Sequence, residues 1–172
     1  MISPALIQLI RSTFQLDWQG VHGVSHWARV RINGLLIARH NQANQRVIEL
    51  FAFLHDSQRQ ADFNDPEHGQ RAAEFIKSLP RELLLINAHE QQLLMHACAD
   101  HSKGFVIAEP TIGACWDADR LDLGRGGLRP EVNKLCTAIA RQPAFFEQAY
   151  QRAVYQHRRH SNAPLVQTWK PG

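Results

Sequence analysis

The sequence predicts an all-α protein with a single domain, and three observations support this fold class. Apolar residues recur at the spacing of amphipathic helices along most of the 172 residues. No segment alternates apolar and polar residues as a half-buried strand does, and no internal repeat occurs. The length suits one domain with a substantial core. We expect a helical domain over residues 1–160, followed by a flexible basic tail over residues 161–172.

Local signals predict where individual helices begin and end. Ser3 and Pro4 are typical of a helix N-terminus, with serine as the cap and proline in the first turn. Apolar spacing predicts one long helix over residues 81–100, and Gly104 suits the left-handed conformation that often follows a helix. Further helices are predicted over residues 129–140 and from Pro143 to about His157.

The central segment of the chain, VIELFAFLHD, covers residues 47–56 and is apolar at most positions. Glu49 is the one clear surface residue in it before the final pair, so we expect an interior helix or strand. The segment ends with His55 and Asp56. Burying an imidazole beside a carboxylate is costly unless a charge or a hydrogen bond compensates, and a divalent cation would supply that charge.

Composition excludes several classes of function. The net charge of +3 and the pI near 9.0 are too small to indicate nucleic-acid binding. No apolar run approaches the roughly 20 residues of a membrane span, and the N-terminus lacks the features of a secretory signal. Three cysteines stand far apart, which indicates reduced thiols. We therefore expect a cytoplasmic protein that contacts neither membrane nor nucleic acid.

Histidine is the unusual residue of this composition, with ten in the chain. His22, His26, Arg29 and Asn33 follow one another at spacings of four, three and four, which places them on one helical face. That face contains no glutamate or lysine and adjoins Trp27. We therefore interpret it as the lining of a cavity and not as a solvated surface.

A second polar group stands in the segment CWDADRLDL, where aspartates alternate with apolar residues. On a helix, Asp119 and Asp122 share a face that Asp117 does not. An exposed acidic turn would not explain the apolar residues beside them, Trp116, Leu121 and Leu123. Together with His26, His55 and Asp56, Asp119 forms a ligand set that suits Mn²⁺, Fe²⁺, Co²⁺, Ni²⁺ or Zn²⁺ better than Ca²⁺; Mg²⁺ is left open.

Three motifs in this order resemble the HD-domain superfamily of metal-dependent phosphohydrolases: HWARV (residues 26–30), FLHD (53–56) and DADRLD (117–122). The pattern extends from about Gly20 to Gly127. The resemblance implies a single-domain HD-type helical bundle. It also implies that the metal ligands are His26, His55, Asp56 and Asp119.

His68 in EHGQRAA and His101 in ADHSKG resemble positions where some members of that superfamily carry extra histidines. There they help to hold a second metal ion or contact the phosphate, so the resemblance implies one ion and leaves a second open. The sequence SQRQ after Asp56 lacks the acidic residues of alarmone-hydrolysing members. The GYP motif of another subgroup is absent.

The resemblance therefore predicts hydrolysis of a nucleotide or another small phosphate ester by a metal-activated water. Asp56, His68 and His101 are the predicted catalytic residues, and the predicted substrate-binding residues are Arg29, Arg59, Lys103 and Arg120. For Arg29 and Arg120 a second role stays open, in which they orient a metal-binding carboxylate and do not contact the substrate. Two other functions stay open, a di-iron oxygenase and a non-catalytic sensor that binds a metal or nucleotide. Assembly into homo-oligomers is also left open.

Overall fold

Eight α-helices form one body in the part of the chain that the structure, a computed structural model, describes: residues 2–160 and 167–168. This confirms the predicted all-α fold class. The helices are α1 (Pro4–Thr13), α2 (Val24–Ala38), α3 (Gln45–Leu54), α4 (His68–Ser78), α5 (Arg81–Leu84), α6 (Ala88–Asp100), α7 (Pro110–Arg120) and α8 (Pro143–His160). Three short 3₁₀ turns cover His101–Lys103, Leu123–Gly126 and Val132–Lys134. The two-residue strands β1 (Leu128–Arg129) and β2 (Gln167–Thr168) pair in parallel.

Helix α3 is the centre of the core. It packs against α2, α6 and α7, and six of its ten residues are buried. The side chain of Asn44 begins the helix by accepting hydrogen bonds from the backbone N–H groups of Arg46 and Val47 at 2.9 and 3.1 Å. Of the two conformations expected for this segment, the structure has the helix, and His55 and Asp56 follow directly after it.

The helix predicted over residues 81–100 is divided in two, which corrects that prediction. Leu85 adopts a left-handed conformation with φ of 54° and ends α5. Asn87 then starts α6 with a capping box, in which its side chain accepts from the N–H of Glu90 and the Glu90 carboxylate accepts from the N–H of Asn87. This reciprocal pair satisfies two N–H groups at a new helix start.

The helix predicted over residues 129–140 is wrong apart from the 3₁₀ turn Val132–Lys134. The Asp117 carboxylate accepts hydrogen bonds from the backbone N–H groups of Cys136 and Thr137 at 2.6 and 2.7 Å. Those N–H groups are therefore unavailable to a helical hydrogen-bond ladder. Asp117 thus fastens this segment to α7.

The C-terminal part of the chain differs from its prediction in one respect. Helix α8 extends to His160, beyond the expected end near His157. The predicted flexible tail, residues 161–172, lies outside the described residues except for β2. No helix among the described residues combines the length and the apolar character that a membrane span requires.

Candidate metal centre

Four predicted ligands from three separate segments meet in the interior. His26 lies in the first turn of α2, His55 and Asp56 follow α3, and Asp119 lies in the last turn of α7. The Nε2 atoms of His26 and His55 are 3.0 Å apart. Oδ1 of Asp119 lies 3.4 Å from the first of these atoms and 3.8 Å from the second. These side chains could hold a metal ion through His26, His55 and Asp119.

A second group lies on the other side of Asp56. His68 is the first residue of α4, and His101 follows the end of α6. Their Nε2 atoms are 2.9 Å apart, and lie 3.3 and 3.5 Å from Oδ1 of Asp56. The other oxygen, Oδ2, lies 3.7 Å from the Nε2 atoms of both His26 and His55. Asp56 therefore presents one oxygen to each histidine pair, and His55, Asp56 and His101 form a second potential metal-binding group.

Each of the four histidines has its Nδ1 atom against an oxygen. Nδ1 of His26 lies 2.7 Å from Oδ2 of Asp122, and that of His55 lies 3.0 Å from the Phe51 carbonyl. Nδ1 of His101 lies 2.7 Å from the Cys98 carbonyl, and that of His68 faces the Asp65 carbonyl. A carbonyl or carboxylate oxygen only accepts, so Nδ1 carries the proton in each neutral ring and Nε2 carries a lone pair.

These inward-facing nitrogens fit a metal ion. Two neutral imidazoles with lone pairs on Nε2 cannot hydrogen-bond to each other, so the close contact between His26 and His55 lacks a favourable interaction without a cation. Two nitrogens bound to one ion at about 2.1 Å are about 3.0 Å apart when the bonds meet at a right angle. The separation between the two Nε2 atoms has this value.

Burial and charge set the protonation of the group. Burial lowers the pKa of His26 well below its ordinary value, and the charge of Arg125 adds to this effect. Burial also lowers the pKa of His55, and that of His68 to about 4. Burial tends to raise the pKa of Asp56, but nearby histidines outweigh it and hold that pKa well below its usual range. The ring nitrogens and the carboxylate are thus in the forms that bind metals near neutral pH.

His101 behaves differently from the other three histidines. Burial lowers its pKa, but the hydrogen bond to Asp56 and the negative charges of Asp56 and Asp119 outweigh burial and raise it. In the metal-free protein this ring therefore keeps a proton to a higher pH than its neighbours. An ion that binds to its Nε2 atom must displace that proton.

Asp122 and His22 contact the potential ligands from outside. The Asp122 carboxylate contacts His26 and also accepts a two-pronged interaction from Arg29, at 2.6 Å to Nε and 2.9 Å to Nη2. Nδ1 of His22 lies 2.8 Å from Oδ2 of Asp56, and its Nε2 atom lies 3.0 Å from the carbonyl oxygen of Asp62. Such partners fix the orientation of metal ligands.

The prediction that one polar face of α2 lines a cavity is only partly correct. His22 precedes the helix, although its ring still faces the site. Asn33 does not line a cavity: its amide donates to the Ala118 carbonyl at 3.1 Å and its oxygen accepts from Arg152 at 2.8 Å. Asn33 thus joins α2 to α7 and α8.

A pocket of about 500 Å³ opens from the cluster, and its walls include His22, Asp56, His101 and Asp119. Three arginines, Arg59, Arg120 and Arg125, also line it. Nε of Arg59 lies 2.9 Å from Oδ1 of Asp56, and Nη1 of Arg125 lies 3.9 Å from Oδ1 of Asp119. The site therefore combines a group of potential metal ligands with cationic side chains in one concave space.

The four predicted substrate-binding residues occupy different positions. Arg59 and Arg120 belong to the pocket wall. Arg120 is buried, donates to the Lys134 carbonyl, and has no hydrogen-bond partner for Nε and Nη2 among the described residues. Arg29 is held by Asp122, whereas Lys103 is exposed and lies 2.8 Å from Asp100. Substrate contact by each of these residues stays a prediction.

Arg125 is a pocket residue that the sequence did not indicate. It lies in the segment GRGG, whose composition predicts only the end of a helix. In the structure, its Nε atom donates to the Val21 carbonyl at 2.9 Å, and this contact directs the guanidinium toward Asp119. The contact spans 104 residues of sequence, so no local pattern could have revealed it.

Comparisons with known proteins give no match. No protein-family model matches the chain, and neither a curated protein nor a solved structure is significantly similar to it. The reasons for considering a particular activity are therefore the sequence motifs and the geometry described above.

Proposed function

We propose that this chain is an HD-type metal-dependent phosphohydrolase that acts on a nucleotide or another small phosphate ester. The observation that carries this proposal is the convergence of four Nε2 atoms and two carboxylates at one end of an arginine-lined pocket. Imidazoles and carboxylates together are typical ligands of catalytic transition metals. Arginines beside them favour an anionic substrate.

We propose that His26, His55, Asp56 and Asp119 hold one divalent ion, and that Asp56, His68 and His101 hold a second. The sequence leaves two roles open for His68 and His101; we favour the second ion because their Nε2 atoms both face Oδ1 of Asp56. Ions bound there would polarise a phosphoryl oxygen and make a water molecule acidic enough to supply a nucleophile near neutral pH.

The arginines of the pocket would bind the phosphate. Arg59 and Arg125 each lie within 4 Å of a proposed ligand carboxylate, so their charges are close to where the phosphoryl group would be held. Such fixed charges stabilise the additional negative charge that develops during phosphoryl transfer. Asp122 and His22 would keep His26 and Asp56 in position.

A di-iron oxygenase is the second candidate, and one observation favours it. An oxygenase of this type needs the fuller ligand set with His68 and His101, and both rings lie beside Asp56. Iron near two per chain, with oxygen uptake on a small polyol or phosphonate, would support the oxygenase. Phosphate release under anaerobic conditions would support the phosphohydrolase.

The test compares His55→Ala and Asp119→Ala with His40→Ala, which removes an exposed histidine outside the site. Each protein is assayed against a panel of phosphate esters with Mn²⁺, Co²⁺, Ni²⁺, Zn²⁺ and Mg²⁺. We expect both site variants to lose turnover while their helical circular dichroism is retained, and His40→Ala to keep wild-type activity. Phosphate release that survives both site substitutions would contradict the proposal.

A further inference from the structure

The lining of the pocket includes apolar side chains that the proposed chemistry does not use. Val21, Phe63, Leu123 and Leu128 belong to its lining. Phe63 is 98% exposed and Val21 is 48% exposed. Single exposed apolar side chains are common on protein surfaces, so exposure alone assigns no role to Phe63. Phe63, however, lines the same pocket as Asp56 and Asp119, two of the proposed metal ligands.

The loop that carries Phe63 is fastened to the metal centre. The carbonyl of Asp62, the preceding residue, lies 3.0 Å from Nε2 of His22, whose other nitrogen contacts Asp56. Arg59 joins Oδ1 of Asp56 to the Ala61 carbonyl, at 2.9 and 3.1 Å. The backbone next to Phe63 is therefore tied to a proposed metal ligand by two separate side chains.

The part of the loop that follows Phe63 is also fixed by hydrogen bonds. The Asp65 carboxylate accepts a hydrogen bond from the Gln60 N–H at 2.8 Å and two from Arg71 at 2.6 Å each. Arg71 also donates to the Gln58 carbonyl at 3.1 Å. The loop is thus closed on itself and anchored to α4. A surface that is ordered before a ligand arrives loses less entropy on binding.

The pocket is larger than the phosphate that the arginines would bind. Its volume of about 500 Å³ is in the range of sites for whole small molecules. A phosphate held near Asp56 and Arg59 leaves the rest of the pocket, whose lining includes Phe63, for the remainder of the substrate. An aromatic face there suits a planar ring, because every nucleobase has a π-face that stacks on an aromatic side chain.

We propose that Phe63 is a specificity-determining residue that stacks on the base of a nucleoside 5′-phosphate whose phosphate lies at the metal centre. This proposal rests on the proposed function, and it names the substrate class of the same site. It predicts that the protein prefers AMP or UMP to ribose 5-phosphate, which carries the same ribose and phosphate without a base. The preference should be roughly 5- to 150-fold, the range for loss of one base–aromatic stack.

The experiment measures the ratio of kcat/KM for AMP to that for ribose 5-phosphate. The proteins are wild type, Phe63→Ala, Phe63→Tyr and the control Phe105→Ala, which removes a 55% exposed phenylalanine outside the pocket lining. We expect the ratio to fall by roughly 5- to 150-fold in Phe63→Ala. It should be largely retained in Phe63→Tyr and unchanged in the control.

The proposed function is judged separately, and it fails if the protein releases phosphate from no ester of the panel described above. If the protein hydrolyses neither AMP nor ribose 5-phosphate, these two compounds are titrated directly by calorimetry into the intact metal-loaded proteins. We then expect the preference for AMP in dissociation constants to fall in Phe63→Ala, to be largely retained in Phe63→Tyr and to be unchanged in Phe105→Ala. The Phe63 proposal is overturned, in either assay, by a wild type that does not prefer AMP. It is equally overturned by a Phe63→Ala variant whose ratio equals that of wild type.

Discussion

The Nδ1 atom of His26 lies 2.7 Å from Oδ2 of Asp122, although 96 residues separate the two in sequence. This contact fixes the proton on Nδ1 and points Nε2 at His55 and Asp119. Because Asp122 is fully buried, its carboxylate orients the ring without competing solvent. Asp122 is therefore placed to control how well His26 binds an ion.

Replacing Asp122 by asparagine should weaken metal binding by about 10- to 100-fold, which is the usual cost of removing such a supporting carboxylate. The amide keeps the size of the side chain but removes the charge that favours a basic imidazole. Calorimetric titration with Mn²⁺ or Zn²⁺ measures the change. Asp100→Asn, which removes a carboxylate paired with Lys103, should bind as tightly as wild type. Equal affinities in all three proteins would contradict this role for Asp122.

The number of bound ions should depend on the second histidine pair. We expect about two ions per chain in the wild type. We expect about one in His101→Ala, because the group of His26, His55 and Asp119 is intact there. Elemental analysis by mass spectrometry after metal loading and gel filtration measures this. A wild type that holds a single ion, with no change in His101→Ala, would remove the second ion from the proposal.

Gly69 should be sensitive to the smallest added side chain. A Cβ atom at this position would lie 2.5 Å from the backbone carbonyl oxygen of Cys98, the same oxygen that faces Nδ1 of His101. We expect Gly69→Ala to lower the free energy of unfolding by about 1–3 kcal/mol, measured by urea denaturation. Gly126→Ala is the matched control, because nothing lies within 4 Å of its added atom. Equal loss in both variants would contradict this account.

Glu49 provides a pH-dependent contribution to stability away from the candidate metal centre. Burial tends to raise its pKa, but the net shift is downward, and the hydrogen bonds from Arg31 are the largest of the contributions that lower it. A depressed folded-state pKa stabilises the protein above the unfolded-state value and is lost as the pH falls. Glu49→Gln should therefore cost about 1 kcal/mol or less at pH 7, and the cost should shrink below about pH 4.

Urea denaturation at several pH values measures this difference between Glu49→Gln and wild type. Exposed Glu74 provides the control variant Glu74→Gln, which should show no such pH dependence. A cost for Glu49→Gln that stays constant down to pH 3 would show that the charge of Glu49 is not its source.

Much of the helical fold and the buried histidine–aspartate group could be predicted from the sequence, because both depend on local patterns. Apolar spacing indicates helices directly, and a histidine–aspartate pair at the end of an apolar segment indicates a buried polar site. The break at Leu85 was also present in the sequence, as the capping-box spacing of Asn87 and Glu90. Because the apolar spacing is helical on both sides of Leu85, it predicts one continuous helix there.

Other features depend on contacts between distant residues and could not be predicted. The segment after β1 fails to form a helix because Asp117 takes the N–H groups of Cys136 and Thr137. Arg125 reaches the pocket because its segment contacts Val21. In each case, a long-range hydrogen bond determines the local structure, and the residues next to it in sequence give no indication of that bond.

The proposed ligands come from five places in the chain, between His26 and Asp119. No contiguous half of the protein contains them all. The first of the two proposed ions, with ligands on α2, after α3 and on α7, can therefore be captured only after these helices have assembled. A bound ion would then stabilise the folded state, because a ligand that binds only the folded state shifts the folding equilibrium toward it by mass action. The lifetime of this protein inside a cell would consequently rise and fall with the supply of free divalent metal.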